Sequence, residues 1–260
     1  MIFDTHAHYD DDRFEQDREM LLGESLKAAG IGKIMNVSAD MGSADSTNDL
    51  SLHYENVYAA LGVHPSETTL ITEGDIDHIR KLAESNPKVR AVGEIGLDYH
   101  YEDSDPVVQE KWFIRQIELA GELDLPIIVH SRDAAADTMR ILSGHYEEGS
   151  ERINGVIHCY SYALPDAVRY VKRGFMIGIG GVVTFKNSRK LKEVVKEIPL
   201  EYMVLETDAP YLAPVPFRGE RNDSSMLKYV AETVADIKGI PSAEAESVTY
   251  DNAMRLYGLS

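Results

Sequence analysis

Eight short apolar runs, separated by longer stretches of helical period or irregular chain, constrain the fold of this sequence more than any other feature. The runs cover residues 2–6, 33–38, 57–63, 89–95, 126–130, 153–158, 175–179 and 203–207. Runs of this length read as strands, and their alternation with helical stretches is the signature of βα units around a parallel sheet. The clearest helix spans 105–123, where Trp112, Phe113, Gln116, Ile117 and Ala120 are spaced for one face. Others are expected over about 17–29, 74–85, 133–143, 164–173, 187–197, 224–238 and 243–256, with Gly30, Gly121 and Gly174 at or near helix ends, Gly121 equally fitting a helix interior. No repeat, low-complexity tract or linker divides the chain. Residues 1–260 are therefore expected to form one α/β domain, a (β/α)8 TIM barrel in regular or distorted form.

The ends of these runs carry metal-seeking side chains. His6-Ala7-His8 closes the first, and strand alternation would put both imidazoles on one side, able to grip one ion. Glu94, His130, His158 and Asp208 recur in like positions on the fourth, fifth, sixth and eighth runs. In a barrel, chemistry gathers at the C-terminal strand ends. Closure also joins the first strand to the last, which a doubly wound open sheet, the competing architecture, is hard pressed to do. One such residue alone would read as a solvated strand end or a satisfied core group. Six in matching places point to a metal hydrolase.

Imidazole and carboxylate ligands suit Zn²⁺ or Mn²⁺, and carboxylate-rich sites also accept Mg²⁺. Glu94, inside Gly93-Glu94-Ile95-Gly96-Leu97-Asp98, is costly to bury without a cation or hydrogen bonds. A bridging role would give one of its oxygens to each of two ions. Glu206 and Asp208 share a strand face; Asp208, at the rim, is the better placed to bind metal and activate water, leaving Glu206 to orient a ligand or basic side chain. His64, in Gly62-Val63-His64-Pro65, is assigned to substrate or leaving-group contact, or to capping its turn. Cys159, next to His158, is expected to face the other way as a small core residue, and His53, His78, His100 and His145 are expected on the surface. Gly178-Ile179-Gly180-Gly181 brings backbone close to a ligand or simply ends a strand.

Charge narrows the choice of substrate. A net charge of −18 argues against a protein that grips long duplexes by neutralising phosphates. Lys186, Arg189, Lys190, Lys192 and Lys196 nevertheless cluster against the single acid Glu193, with Arg218 and Arg221 further on. That cluster is a solvated helix face or a local attraction for phosphate. The lone cysteine excludes an intrachain disulfide and fits a reducing compartment. No basic-then-apolar leader opens the chain and no apolar stretch approaches the roughly 18 residues of a membrane helix, so a cytoplasmic monomer without membrane association is expected.

With these residues in view, the chain resembles the TatD family of metal-dependent deoxyribonucleases, among the amidohydrolase-like barrels. The matching segments run nearly the whole length, from Phe3-Asp4-Thr5-His6-Ala7-His8 through Gly62-Val63-His64-Pro65, Gly93 to Tyr99, Pro126 to Asp133, His158-Cys159, Glu206 to Leu212 and Arg218 to Asn222, to Asn252-Ala253. The resemblance implies that His6, His8, Glu94 and Asp208 serve one metal and that Glu94, His130 and His158 serve a second. It also implies roles near the substrate for His64, Arg218 and Arg221. Two segments depart from the family pattern: Asp223-Ser224-Ser225 stands where Glu-Pro-Xaa-Tyr is usual, and His158-Cys159-Tyr160-Ser161-Tyr162 where His-Cys-Phe-Ser-Gly is common.

The expected reaction is phosphodiester hydrolysis by metal-activated water, with Asp208, Glu94 and His64 as the catalytic set and Arg218, Arg221 and His64 toward the substrate. The acidic balance favours 3′-end exonuclease action on DNA ends or short single strands. The alternative keeps the metal centre but hydrolyses an amide or ester, in a small or aminoacyl-nucleotide substrate. A noncatalytic metal-dependent scaffold is a third reading, which nothing in the sequence supports.

Overall fold

A computed structural model describes residues 1–101, 105–149 and 152–259. Its eight strands pair in chain order: β1 (Ile2–Ala7), β2 (Ile31–Val37), β3 (Val57–Leu61), β4 (Val89–Asp98), β5 (Ile127–Arg132), β6 (Gly155–Ile157), β7 (Phe175–Ile179) and β8 (Met203–Leu205). Every ladder is parallel. The helical returns are α1 (Arg18–Met20), α2 (Leu26–Ala28), α3 (Met41–His53), α4 (Glu73–Ser85), α5 (Pro106–Leu123), α6 (Ala135–His145), α7 (Leu164–Val171), α8 (Arg189–Glu197) and α9 (Leu227–Lys238), followed by α10 (Ser242–Leu256). This is a nearly closed (β/α)8 barrel. Among the described residues, no helix is long and apolar enough to cross a membrane.

Two apolar layers hold the barrel. Phe3, Met35, Ala60, Ala91, Ile128, Val156, Met176 and Val204 pack together, one from each strand, and fill the interior. The centre is thus a packed core rather than a pore. The other strand faces pack outward against the helices in a larger cluster that includes Ile34, Leu61, Phe113 and Val194.

The seam between β1 and β8 is closed by polar bonds more than by a ladder. The strands meet at the bridge Ala7–Ala209; the Thr5 hydroxyl donates to the Leu205 carbonyl at 3.0 Å. α10 covers the seam, where the Asn252 amide donates to the Leu200 and Met203 carbonyls and the Tyr257 hydroxyl to the Thr5 carbonyl. Ala253, Leu256 and Tyr257 join the interior cluster from this side.

Two expectations need correction. The helix expected over 17–29 is broken by a π turn at Leu21–Ser25 between α1 and α2. α3 was not expected at all, because its buried face is Ala44, Thr47, Asn48 and Ser51, with no apolar period to read. That face is held by polar pairs: Asn36 donates to Thr47 at 2.7 Å, and Asn86 donates to Asn48 and Ser51 at 2.9 and 2.8 Å. Gly30 and Gly174 do end helical returns with positive φ, and Gly121 takes the interior position in α5 that its sequence context also allowed.

Candidate metal centre

Strand irregularities aim the side chains at the mouth. Between Val92 and Ile95 the β4 ladder carries one residue more than β5, so a bulge falls at Gly93-Glu94. Bulges re-aim side chains, and here β4 continues to Asp98 with Glu94 buried within it. Glu94 and His130 therefore lie inside extended strands, not at their ends. β1 has a similar shift between Asp4 and Ala7. His6 and His8 converge all the same, with Nε2 atoms 3.1 Å apart, although His8 lies just past the strand.

The six expected ligands come together with His64. On one side His6, His8 and Asp208 form a group; on the other, His64, Glu94 and His130 form a second. Glu94 joins the two: Oε2 is 3.5 Å from His6 Nε2, while Oε1 is 2.7 Å from His130 Nδ1 and 3.9 Å from His64 Nε2. His158 stands between, its Nε2 3.8 Å from Glu94 Oε1 and 3.7 Å from Asp208 Oδ1, its ring stacked on His6 at 3.5 Å. Asp208 Oδ1 is 3.5 Å from His8 Nε2. Of the two roles foreseen for His64, the turn cap is seen. Its Nδ1 accepts from the Ser66 N–H and caps the turn, and its Nε2 faces Glu94.

Further groups orient these side chains. The Asp98 carboxylate lies 3.2 Å from His130 Nε2. Glu206 Oε2 lies 3.2 Å from His158 Nδ1, and Glu206 Oε1 accepts the Cys159 N–H at 2.5 Å. Gly178 makes room for this acid, since a β-carbon there would stand 2.4 Å from Glu206 Oε2. Cys159 does not face away as expected. Its φ of +43° turns the chain, and its thiol groups with His158 and Asp208.

Asp4 was missed, because one acid in a β1 run carries no pattern of its own. Its buried carboxylate accepts from the Ser224 hydroxyl at 2.6 Å, the Thr207 hydroxyl at 2.7 Å and the Thr207 N–H at 3.0 Å. It thereby ties β1 to the segment bearing Asp208. Ser224 lies in one of the stretches that depart from the family pattern, and it also bonds the Tyr9 hydroxyl. Ser224→Ala removes one donor from a fully buried acid, so a loss of about 1–3 kcal/mol is expected, read as a lower urea midpoint at constant slope. Asp98 had left a trace in the sequence, the spacing Glu94, Gly96, Asp98 of one strand face.

Arg218 is exposed at the rim, its guanidinium 4.5 Å from the Phe185 ring centroid. Arg221 is already engaged, pairing with Asp17 and donating to the Arg13 carbonyl at 2.7 Å. A cleft of about 320 Å³ adjoins His64, lined by Pro65, Ser66, Glu67, Asp98, Asp105 and Gln109 among others.

The electrostatics call for cations. Burial alone would raise the Glu94 carboxyl, but His158, His64, His6 and His130 hold it well below its ordinary value. Burial opposes charge on His158 too, yet Glu206, Glu94 and Asp208 lift it to about 10. Against the same burial, Asp208 and Glu94 lift His8 to about 9, and Asp98 and Glu94 do so for His130. Only His64 and His6 are pushed down, His64 to about 4, chiefly by burial. Buried carboxylates thus demand positive charge beside imidazole nitrogens facing each other at 3.1 Å. Divalent cations meet that demand with suitable ligands.

Comparison with known proteins points the same way. The family described as TatD related DNase matches residues 3–258. The chain is 42% identical over 260 residues to the uncharacterized metal-dependent hydrolase YabD of Bacillus subtilis (strain 168), covering all of both proteins. It is 30% identical over 265 residues, again covering all of both, to the 3′-5′ ssDNA/RNA exonuclease TatD of Escherichia fergusonii. Among solved structures, the TatD homologue YjjV of Escherichia coli K12 superposes with a TM-score of 0.92 at 31% identity, over 100% of this chain and 98% of that one.

Proposed function

Because the chain belongs to the TatD family of metal-dependent hydrolases, we propose that it cleaves phosphodiester bonds at the ends of single-stranded nucleic acid, proceeding from the 3′ end. The observation that carries this reading is Glu94, whose two oxygens address separate histidine groups on either side. Such a carboxylate suits a pair of cations sharing one bridging ligand. His6, His8 and Asp208 would hold one; His130 and His158, with Glu94 common to both, would hold the other. When bound, divalent cations polarise a phosphoryl oxygen and make water a nucleophile near neutral pH.

The remaining work falls to the protein. Asp208, on the rim beyond β8, orients the attacking water and takes its proton as the new oxygen–phosphorus bond forms. The ester bond then breaks, and the leaving oxygen takes a proton from solvent. His64 accepts the Ser66 N–H at Nδ1, which leaves the proton on Nε2 and makes that atom a donor toward a substrate oxygen. Arg218, exposed beside the site, offsets phosphate charge. The name of the Escherichia fergusonii relative supports the direction of attack.

The test is hydrolysis of 5′-labelled single strands after chelation and add-back of Mg²⁺, Mn²⁺ or Zn²⁺. A ladder shortening from the 3′ end, absent with chelator, is expected. Internal cuts alone, or intact strands alongside hydrolysed small amides or esters, would favour the other bond. In the same samples, add-back is expected to raise the midpoint of thermal unfolding. A cation at a hundred times its dissociation constant adds about 2.7 kcal/mol, and an unchanged melting curve would count against a cation site.

A further inference from the structure

We infer that Tyr211, backed by Arg13, is a stacking seat for one nucleobase of a single strand whose phosphate lies at the Glu94 cluster; this rests on the phosphodiesterase reading above. Tyr211 is 48% exposed, and Leu212 and Val215, within four positions of it in the chain, are exposed large hydrophobic side chains as well. One face of the Tyr211 ring is capped by the Arg13 guanidinium, 4.1 Å from the ring centroid. That guanidinium is fixed by a fork onto Asp11, with Nε to Oδ1 at 2.9 Å and Nη2 to Oδ2 at 2.7 Å.

Both partners hang from the residues of the candidate metal centre. The Tyr211 N–H donates to the Asp208 carbonyl at 2.8 Å, and the Tyr211 carbonyl accepts from the Asn222 amide at 2.8 Å. On the other loop the Asp11 N–H donates to the His8 carbonyl at 3.2 Å. Arg221 grips the Arg13 carbonyl and the Asp17 carboxylate, which gives that arginine a supporting place behind the stack. The platform is therefore ordered before any ligand arrives, and little freedom remains to be lost on binding.

The charge around it selects the ligand. Lys186 and Arg218 are both exposed, on segments joined where the Val215 N–H donates to Thr184 Oγ1 at 2.9 Å. The cleft beside His64 carries Glu67, Asp98 and Asp105 instead. In a protein of net charge −18, the exposed Arg218 on the Tyr211 segment gives a phosphate chain local attraction, and the Tyr211 ring offers its bases an aromatic face. Stacking needs an unpaired base, so this seat favours single strands over duplex and any of the four bases alike.

The experiment compares oligothymidylate with the same strand lacking its terminal bases, using wild type, Tyr211→Ala and Tyr211→Trp with Mn²⁺. Tyr211→Ala is expected to raise KM for oligothymidylate about tenfold, in the range one lost base stack gives, with much less change in kcat. KM for the abasic strand should move little, and Tyr211→Trp should restore the wild-type value. An unchanged KM, or an equal rise on the abasic strand, overturns the stacking role alone. Wild type that cleaves neither strand nor bis(p-nitrophenyl) phosphate overturns the phosphodiesterase reading, and this inference with it.

Discussion

Glu94→Gln is expected to lower metal-dependent hydrolysis by about a thousandfold, the scale set by removing a preorganised charge from a catalytic centre. Glutamine keeps the size of the side chain but exchanges one oxygen for an NH₂ group, which cannot ligate a cation. That exchange must disable one of the two sides, because Oε2 addresses His6 and Oε1 addresses His130, His64 and His158. It also removes the negative charge that faces four histidines in a buried site. The check is kcat/KM together with cation content of the purified protein. Activity within tenfold of wild type, at unchanged cation content, would place the reacting centre elsewhere.

Gly96→Ala is expected to cost about 3 kcal/mol or more, measured by denaturant unfolding, at the severe end of overpacking. A β-carbon at Gly96 would lie 1.9 Å from the His130 carbonyl oxygen and 2.9 Å from its carbon, and the residue's φ of +146° itself favours glycine. Backbone cannot swing aside as a side-chain tip can, so β4 and β5 must separate where they carry Glu94 and His130. Gly121→Ala provides the contrast. It lies inside α5 with nothing within 4 Å of the new atom. There, alanine is expected to stabilise by about 0.5–1 kcal/mol. Equal losses from both substitutions would contradict this account of the sheet.

The barrel was legible because each strand advertises itself locally: β7 at Phe175–Ile179 coincides with its apolar run, and the others differ by a few residues at their ends. The gathering of His6, His8, Glu94, His130, His158 and Asp208 followed from closure alone. What stayed hidden depends on contacts distant in sequence. α3 packs through Thr47, Asn48 and Ser51, whose partners Asn36 and Asn86 lie on other elements. Asp4 finds Thr207 and Ser224 over two hundred residues away. Strand parity failed at Cys159, where a left-handed residue turns the chain, and the fourth run was read as ending near Glu94, whereas β4 continues past its bulge to Asp98. Resemblance gave Arg221 a place near the substrate, but only coordinates show it joined to Asp17 and the Arg13 loop.

The seam under α10 sets the order in which a growing polypeptide can become competent. His6 is made some two hundred positions before Asp208, and the helix that shields their junction comes after both. A nascent chain halted after β8 would leave Thr5 and Met203 without their caps and the strand edges open to water. Assembly of the candidate cation cluster is thus coupled to α10, and a chain lacking that helix would not hold these side chains in the finished geometry.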